Sequence, residues 1–436
     1  MESAELARDI FFNRLRKREF GRLDKLRHVY LDFTGGNIHP QSLVDMHYRF
    51  LKKAVYGNPH SNNPASLLSE KMVGQARKRV LDFFNASDYY CVFTHNASGA
   101  LQIVGECYPF AAESHFLLTA DNHNSVNGIR EYCRARGGGY SYSPMNQEDL
   151  SINEPQLDRL IDAHHDKRNK LFAFPAQSNV SGVQHSLAWI KKAQERGWDV
   201  LLDAAAFVPT SKLDLSVAGG TITLSAIRYS SYFLKPDHEK FENGTINYLN
   251  IPAITYGLDF IRSIGIENIN SRIKELSRSI LSALKDLRHD NGLPLIKLYG
   301  PRNTENRGGT FLLNFFDTRG QQYPFQYIEQ LANARMISFR TGCFCNPGID
   351  ELNHGLSEEQ LKNYFVSRDH GDYFDFINFI GKLRGAVRIS IGLATTRSDI
   401  EKFIGFVKTL LNRTVPEGTL SQVFADPPHQ NEYLSQ

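Results

Sequence analysis

The sequence has few of the features that mark secreted, membrane or nucleic-acid-binding chains. It contains only five cysteines in 436 residues, which argues against a disulfide-stabilised scaffold and indicates a reducing compartment, so we expect a cytoplasmic protein. It has no apolar run long enough to span a bilayer and no signal-peptide core, so we expect no membrane partner. Lysine and arginine number 50 against 47 aspartates and glutamates, and the net charge of +3 gives no reason to propose nucleic acid as a partner.

Internal repeats and low-complexity linkers are also missing. The N-terminal segment is basic, but Glu5, Asp9, Glu19 and Asp24 are interspersed in it, which favours a surface helix over a transit peptide. With 41% hydrophobic residues, a chain of this length predicts a globular protein of two or three domains.

The central stretch from Leu171 to Thr210 has the pattern of a strand, a helix and a second strand. Apolar runs lie at Leu171–Phe174 and Val200–Leu202, and the segment between them has helical spacing. Short continuous apolar runs are typical of parallel strands, because helices cover both faces of their sheet. Ligands bind beyond the carboxyl ends of such strands, so Asn179 and Asp203, which follow the two runs, are candidate site residues. An aspartate there is also a common turn former and helix cap.

Two further strand-to-loop transitions carry polar residues. Cys91–Thr94 predicts a buried strand that leads through Ala97 and Ser98 into a helix, and the free amides at a helix start bind anions. Phe116–Thr119 predicts another strand, and His123 follows it. The simpler structural explanations are that Ser98 is an N-cap and that His123 is a surface residue.

The C-terminal third predicts a smaller α+β domain that contains a cysteine loop. In Arg340–Gly348, two thiols have the spacing Cys-x-Cys, and two ligands without a second pair are too few for a zinc site, so we expect no metal. A glycine-containing loop beside Arg340 favours a reactive thiolate, because positive charge lowers the pKa of a thiol, although a plain loop with buried thiols is the alternative. A strand follows at Gly385–Ser390, and it carries Arg388.

Together these motifs resemble the pyridoxal-phosphate (PLP) enzymes of the class V aminotransferase family, and most closely the N-terminal, cysteine-desulfurase-like domain of the molybdenum cofactor sulfurases. The runs that carry the resemblance are FPAQSNVSG, LLDAAAFVPT, DNHNSV, FENGTIN and RTGCFCNPG. It implies an α/β chain of the PLP-dependent transferase fold type I, similar to aspartate aminotransferase. It predicts an N-terminal helical segment, a large, mostly parallel PLP-binding domain shortened after residue 217, a linking helix with a small α+β domain, and a polar tail, at residues 1–28, 29–265, 266–412 and 413–436.

The resemblance also implies how PLP would be bound. Asp203 takes the role of the aspartate that pairs with the pyridine nitrogen and keeps the ring an electron sink. His123 corresponds to the histidine that stacks on the ring, and Asn179 lies beside the ring and the substrate. Ala97 and Ser98 belong to the turn that binds the phosphate. Thr245 matches a loop that reaches the phosphate of the neighbouring subunit's cofactor, which implies a homodimer.

For the substrate, the resemblance implies L-cysteine. Arg388 corresponds to the arginine that holds the α-carboxylate, and Arg340 is expected to help bind the substrate. Cys345, rather than Cys343, takes the place of the cysteine that receives the sulfur as a persulfide and leaves alanine. In the relatives this sulfur passes to the molybdenum cofactor.

The sequence departs from its relatives after Ser216–Val217. It continues directly into Ala218 and the AGGT motif, so the segment that carries the Schiff-base lysine is missing, and none of Lys212, Lys235 and Lys240 aligns with that position. We therefore expect an impaired enzyme, and an altered transcript explains the gap better than an evolved loss, because removing interior strands leaves backbone groups unpaired. The resemblance covers only the first half of a full-length sulfurase, without the domain that binds the molybdenum cofactor.

Two functions are alternatives to this impaired desulfurase. One is a non-catalytic form that dimerises with an intact sulfurase and modulates it, and the other is another class V activity such as that of a kynureninase or an aminotransferase. The RTGCFC loop disfavours the last of these.

Overall fold

The structure is a computed structural model that describes residues 2–216, 238, 241–242, 244–368, 370, 373–381 and 383–419. The junction at Val217–Ala218, the AGGT motif, Lys235, Lys240 and the tail from residue 420 lie outside the described residues.

The described strands and helices alternate along most of the chain. The strands are β1 (Val29–Tyr30), β2 (His115–Thr119), β3 (Gly139–Ser143), β4 (Lys170–Pro175), β5 (Trp198–Asp203), β6 (Ile296–Tyr299), β7 (Thr310–Phe315), β8 (Ile337–Ser338), β9 (Arg340–Gly342) and β10 (Ala386–Ser390). The helices are α1 (Glu2–Glu19), α2 (Gly21–Lys25), α3 (Gln41–Lys53), α4 (Pro64–Phe83), α5 (Ala97–Cys107), α6 (Asn124–Asn127), α7 (Ile129–Ala135), α8 (Glu154–Ala163), α9 (Ala188–Gln194), α10 (Ala253–Ile264), α11 (Ile266–Lys285), α12 (Phe325–Asn333), α13 (Pro347–His354), α14 (Glu358–Val366), α15 (Tyr373–Ile380) and α16 (Arg397–Lys408).

The first sheet is parallel, in the order β3-β2-β4-β5. Its central strands β2 and β4 are buried along their whole length, and residues that alternate along them enter different clusters. Leu117 and Phe172 pack with α8 and α9, whereas Phe116 and Leu118 pack with α5 and α7. The predicted βαβ unit is confirmed, since β4, α9 and β5 follow one another and Phe172 pairs with Val200.

The second sheet is antiparallel, in the order β6-β7-β10-β9, and it belongs to the C-terminal part of the chain. Its apolar face, which includes Phe311 and Ile389, packs against α11, α12 and α16. Phe12 and Leu15 of α1 belong to the same buried cluster, so the N-terminal helix packs with this sheet. The short strands β1 and β8 pair in parallel beside it. The domain boundaries stay a prediction.

One strand prediction is wrong. Residues Cys91–Thr94 are half-buried and form no strand within the part of the chain that the structure describes. An apolar run becomes a strand only beside a partner with free backbone groups, and the described strands of the first sheet are paired with one another instead. The helix predicted after this run is present as α5.

Candidate functional site

The carboxyl edge of the parallel sheet gathers several of the predicted side chains. Asp203 ends β5, His123 follows β2, and Asn179 follows β4. The His123 ring lies within electrostatic range of the Asp203 carboxylate and of the Arg388 guanidinium, which comes from β10 of the second sheet. A histidine, an aspartate and an arginine from three strands thus lie together at the edge where parallel sheets bind ligands.

The hydrogen bonds of His123 identify its tautomer. The backbone N–H of Ser125 donates to His123 Nδ1 over 3.1 Å. A nitrogen that accepts from an amide holds a lone pair, so the proton of the neutral ring is on Nε2. Burial lowers the pKa of His123 below its ordinary value; the Asp203 carboxylate raises it and the Arg388 guanidinium lowers it. The ring is therefore neutral near neutral pH and has Nε2–H as a donor.

The start of α5 offers donors to an anion. Asn96 is the N-cap, since its side-chain oxygen accepts from the Gly99 amide over 2.9 Å, so the alternative of Ser98 as the cap is wrong. Ala97 and Ser98 are exposed, and the cap leaves their first-turn amides to a ligand. The Ser98 hydroxyl lies 2.6 Å from the Ser125 hydroxyl, which connects this helix start with the His123 loop.

Cys345 lies in a tight turn with an unusual backbone. Cys345 is exposed, and the backbone φ angles of Phe344 and Cys345 are positive, at 58° and 52°. The Asn346 amide donates to the Cys343 carbonyl over 3.1 Å, so the four residues form a turn of type I′. Such turns favour glycine and asparagine, and a left-handed residue with a side chain costs about 1–2 kcal/mol. Cys345 is thus held in a backbone conformation that is unfavourable for a residue with a side chain.

Asparagines fix this turn against the parallel sheet. The Asn179 side chain donates to the Phe344 carbonyl over 3.0 Å and accepts from the Asn346 side chain over 3.1 Å. The Asn124 amide donates to the Cys345 carbonyl over 2.8 Å. Asn346 also donates to the Asp121 carbonyl in the loop that precedes His123. Asn179 was predicted to lie beside a cofactor, and the structure gives its side chain these two bonds to the cysteine turn.

Arg388 is buried between the two sheets. Only 3% of its side chain is exposed, and its guanidinium donates from Nη1 to the Asn179 carbonyl over 3.0 Å and from Nη2 to Asp32 Oδ1 over 2.8 Å. The other carboxylate oxygen of Asp32 accepts from Arg340 Nε over 3.2 Å. Burial lowers the pKa of Arg388, and its hydrogen bond to Asp32 opposes that effect.

The structure does not join every predicted residue to this group. Thr245 is exposed, and its hydroxyl accepts from Asn58 over 3.2 Å; among the hydrogen bonds of the described residues, none connects it with the residues above. Lys212 is 63% exposed, and its amine lies 3.8 Å from Glu267.

Within the described ranges, no group of histidine, cysteine and acidic residues is arranged to hold a metal ion. None of the described helices is long and apolar enough to cross a membrane.

A cavity of about 200 Å³ opens next to this group. Its wall includes Thr34, Gln177 and Thr310, together with residues 205–206 that follow Asp203. The hydroxyls of Thr34 and Thr310 lie 2.8 Å apart. The cavity provides ligand-sized space between the N-terminal turn and the two sheets, in walls where the sequence analysis proposed no residue.

Sequence reasoning missed the residues that hold the others in place. Asp32 follows a short apolar run and resembled an ordinary strand end, Asn346 was obscured by the adjacent cysteines, and Ser125 lies among other small polar residues. Asp121 and His185 form a further buried pair, with 2.7 Å between Oδ2 and Nε2, beneath the His123 loop. A signal for Asp32 was present in the glycine pair at Gly35–Gly36, which permits a tight turn beside a carboxylate.

Comparison with known proteins identifies the family. The profile described as Aminotransferase class-V matches residues 29–220 and 216–403. The chain belongs to the class V aminotransferase family. Two sulfurases are similar to this family member: the molybdenum cofactor sulfurase of Solanum lycopersicum is 33% identical over 91% of this chain and 56% of its own length, and that of Bos taurus is 34% identical over 90% and 51%. The chain spans about half the length of these curated relatives.

Solved structures confirm the predicted fold class for this class V aminotransferase chain. The apo cysteine desulfurase from Thermococcus onnurineus NA1 has a TM-score of 0.72 at 19% identity, covering 92% of this chain and 98% of that structure. A C-DES mutant with glycine covalently linked to its PLP cofactor has a TM-score of 0.65 at 16% identity, covering 90% and 99%. The fold is therefore that of the PLP-dependent transferases of type I.

The donors at the carboxyl edge fit PLP, the cofactor that the family match and these structures support. Asp203 Oδ1 accepts from the Ala205 amide over 3.0 Å, and its other oxygen would hold the pyridine nitrogen. The His123 ring would cover the cofactor ring, and the amides of Ala97 and Ser98 would bind the phosphate. When bound, PLP withdraws electrons from the amino-acid carbon attached to it.

Proposed function

We propose that this chain is the cysteine-desulfurase-like part of a molybdenum cofactor sulfurase, that it binds PLP and L-cysteine, and that Cys345 receives the sulfur. The observation that carries the proposal is the position of the Cys345 turn. Asn179 binds this turn through its side chain and Arg388 through its carbonyl, so one residue connects the candidate nucleophile with the candidate carboxylate site. The similarity to curated sulfurases supports the choice of substrate.

Four residues of the chain would handle the substrate. Arg388 and Arg340 bind its α-carboxylate, because guanidinium groups pair with carboxylates through charge-assisted hydrogen bonds. The exposed Cys345 thiolate attacks the substrate sulfur, so an S–S bond forms at Sγ as the carbon–sulfur bond breaks. The carbon fragment keeps the electron pair of the broken carbon–sulfur bond and needs a proton to become alanine. We assign His123 as the group that passes on this proton: it donates from Nε2 once the ring has taken up a second proton, and it returns to the neutral form.

The chain would turn over slowly. No lysine aligns with the Schiff-base position of the relatives, and Lys212, the described lysine nearest the gap in sequence, is exposed beside Glu267. A lysine in that position attaches the cofactor covalently and moves substrate protons, so its loss removes a catalytic group while the binding groups remain. PLP would then be bound without a covalent bond to the protein.

We extend the proposal to partners and compartment. The molybdenum cofactor would accept the sulfur, as the names of the curated relatives suggest, and the loop at Thr245 fits a homodimer. All five cysteines are free thiols, which fits the cytoplasm.

Borohydride reduction with PLP tests the proposal. The purified chain is equilibrated with PLP, the bound amount is measured by dialysis, and the reduced protein is mapped by peptide mass spectrometry. We expect about one PLP per chain with no stoichiometric pyridoxyl group on any lysine, and weaker binding in Asp203→Ala, because the ring nitrogen loses its partner. Asp162→Ala, at an exposed aspartate outside the site, is the matched control.

Two results would contradict the proposal. Stoichiometric labelling of one lysine would identify a substitute for the Schiff-base residue and refute the binding of PLP without a covalent bond. Failure of the folded wild-type chain to bind PLP would refute the function itself. Transfer of sulfur from L-cysteine to Cys345 is then checked by persulfide labelling, with Cys345→Ser as the control.

A further inference from the structure

Asp32 has a role that neither the sequence motifs nor the comparisons assign. It follows β1 and joins the second sheet through a bridge with Ser390. Its two carboxylate oxygens accept from different arginines, Oδ1 from Arg388 and Oδ2 from Arg340. Only 14% of the Asp32 side chain and 3% of the Arg388 side chain are exposed, so the bond to Arg388 is largely shielded from water, whereas Arg340 is 52% exposed.

The two arginines need a partner of opposite charge. β9 and β10 are antiparallel, and their register sets Arg340 directly opposite Arg388. Like charges in a cross-strand pair repel, and the repulsion is stronger where burial excludes water. Burial is the largest influence on the pKa of Arg388 and lowers it; Asp32 raises this pKa and the Arg340 guanidinium lowers it, which agrees with this arrangement. Asp32 thus compensates a repulsion that the strand pairing creates.

Asp32 also sets the orientation of the Arg388 fork. Nη2 of Arg388 donates to Asp32 and Nη1 to the Asn179 carbonyl, and the plane packs over the Phe344 ring at 5.0 Å. Arg388 Nε is buried and has no hydrogen-bond partner among the described residues. A buried N–H without an acceptor is costly, so an acceptor that reaches this nitrogen would be favoured.

The turn after Asp32 is shaped around its carboxylate. The amides of Gly35 and Gly36 both donate to the Asp32 carbonyl over 3.0 Å, and the Tyr30 hydroxyl donates to the same oxygen over 3.2 Å. A Cβ on Gly35 would overlap the Asp32 carboxylate. The glycine therefore lets the chain fold back onto the side chain that holds the arginines.

We propose that Asp32 is the positioning residue of a site for the α-carboxylate of an amino-acid ligand: it holds Arg388 and Arg340 side by side and fixes the orientation in which Arg388 meets the ligand. The proposal rests on the proposed function. It differs from the alternative in which Asp32 competes with the ligand for the arginines, because competition predicts tighter binding when the Asp32 charge is removed.

Two stable probes test this role without turnover. Phosphopyridoxyl-L-alanine, the reduced conjugate of PLP and alanine, carries the α-carboxylate, and phosphopyridoxyl-ethylamine is the same molecule without it. Isothermal titration of the full chain with both probes gives their affinity ratio, which isolates the contribution of the carboxylate. We expect the wild type to favour the alanine conjugate, and Asp32→Asn to bind that conjugate about tenfold more weakly while its affinity for the ethylamine conjugate stays unchanged.

Gly35→Ala is the second variant, because it displaces the Asp32 carboxylate and keeps its charge. We expect it to reproduce the selective loss. An unchanged or increased affinity of Asp32→Asn for the alanine conjugate would overturn the proposal and leave the proposed function intact. Equal loss of both probes in both variants would make Asp32 a folding residue and also overturn it. If the folded wild type binds neither probe, the proposed function fails and this proposal fails with it.

Discussion

Replacement of Asn179 by alanine should release the Cys345 turn from the parallel sheet. The variant loses two side-chain hydrogen bonds, to the Phe344 carbonyl and from the Asn346 side chain, but keeps the backbone carbonyl that accepts from Arg388. Each such bond contributes a net of about 0.5–1.5 kcal/mol, so opening of the turn becomes about 5- to 150-fold more frequent. The positive φ of Phe344 and Cys345 acts in the same direction, because the released turn can relax.

Amide hydrogen exchange resolved by residue measures this opening. The Asn124 amide donates to the Cys345 carbonyl and the Asn346 amide to the Cys343 carbonyl, so both should lose protection by that factor. Asn291→Ala is the matched control, since the Asn291 side chain also makes two hydrogen bonds to backbone groups, in a loop outside the site. Unchanged protection of both amides in a folded Asn179→Ala chain would refute the assignment of Asn179 as the anchor of this turn.

Three further predictions concern thiol reactivity, packing and pH. Iodoacetamide should alkylate the exposed Cys345 first and spare the buried Cys133, because burial raises the pKa of the Cys133 thiol to about 11. In a time course followed by mass spectrometry, Cys345→Ser should lose the fast phase of alkylation. A fast phase that persists in this variant would contradict the prediction. Gly348→Ala should lower the melting temperature, because the added Cβ would overlap the Ala120 carbonyl. Gly74→Ala, which lies in open space within α4, should instead stabilise the protein by about 0.5–1 kcal/mol. Equal shifts in the melting temperatures of the two variants would refute the packing argument. Burial and the neighbouring His164 lower the pKa of His115 from 6.5 to about 4, so the stability that the neutral ring contributes is fully present above pH 6.5 and is lost as the pH falls towards 4. Between about pH 7 and pH 5, the urea midpoint of His115→Gln should therefore fall less than that of the wild type. An equal fall in the two proteins would be the contrary result.

The sequence predicts three of the four parallel strands, β2, β4 and β5, because they appear as continuous apolar runs, whereas the partly exposed β3, with the sequence GYSYS, was not predicted. Leu171–Phe174 and Val200–Leu202 became β4 and β5 with only small changes at their ends. Cys91–Thr94 is also a mainly apolar run but forms no strand within the described residues, since strand pairing depends on a neighbouring strand that the composition of the run does not reveal. Local pattern therefore identifies candidate strands, and the register of neighbours decides among them.

The chemical groups of the site were easier to predict than the residues that orient them. Asp203, His123 and Cys345 belong to motifs that resemble those of the class V family, so the resemblance draws attention to them. Asp32 and Asn346 act through contacts with residues that are 356 and 167 positions away, Arg388 and Asn179, and such pairs are not visible along a single chain. Tertiary structure is needed to see that a carboxylate near the N-terminus holds an arginine near the C-terminus.

Asn346 has a mechanical consequence for the thiol. Its side-chain oxygen caps α13 by accepting from the Ile349 amide, while its amide nitrogen donates to Asn179 and to the Asp121 carbonyl. The residue after Cys345 is therefore also the N-cap of a helix, which restrains the backbone of Cys345 on its C-terminal side. Any displacement of the Cys345 backbone away from the sheet must therefore either break the cap of α13 or move that helix as well, so the remaining freedom of the sulfur comes mainly from rotation of its own side chain.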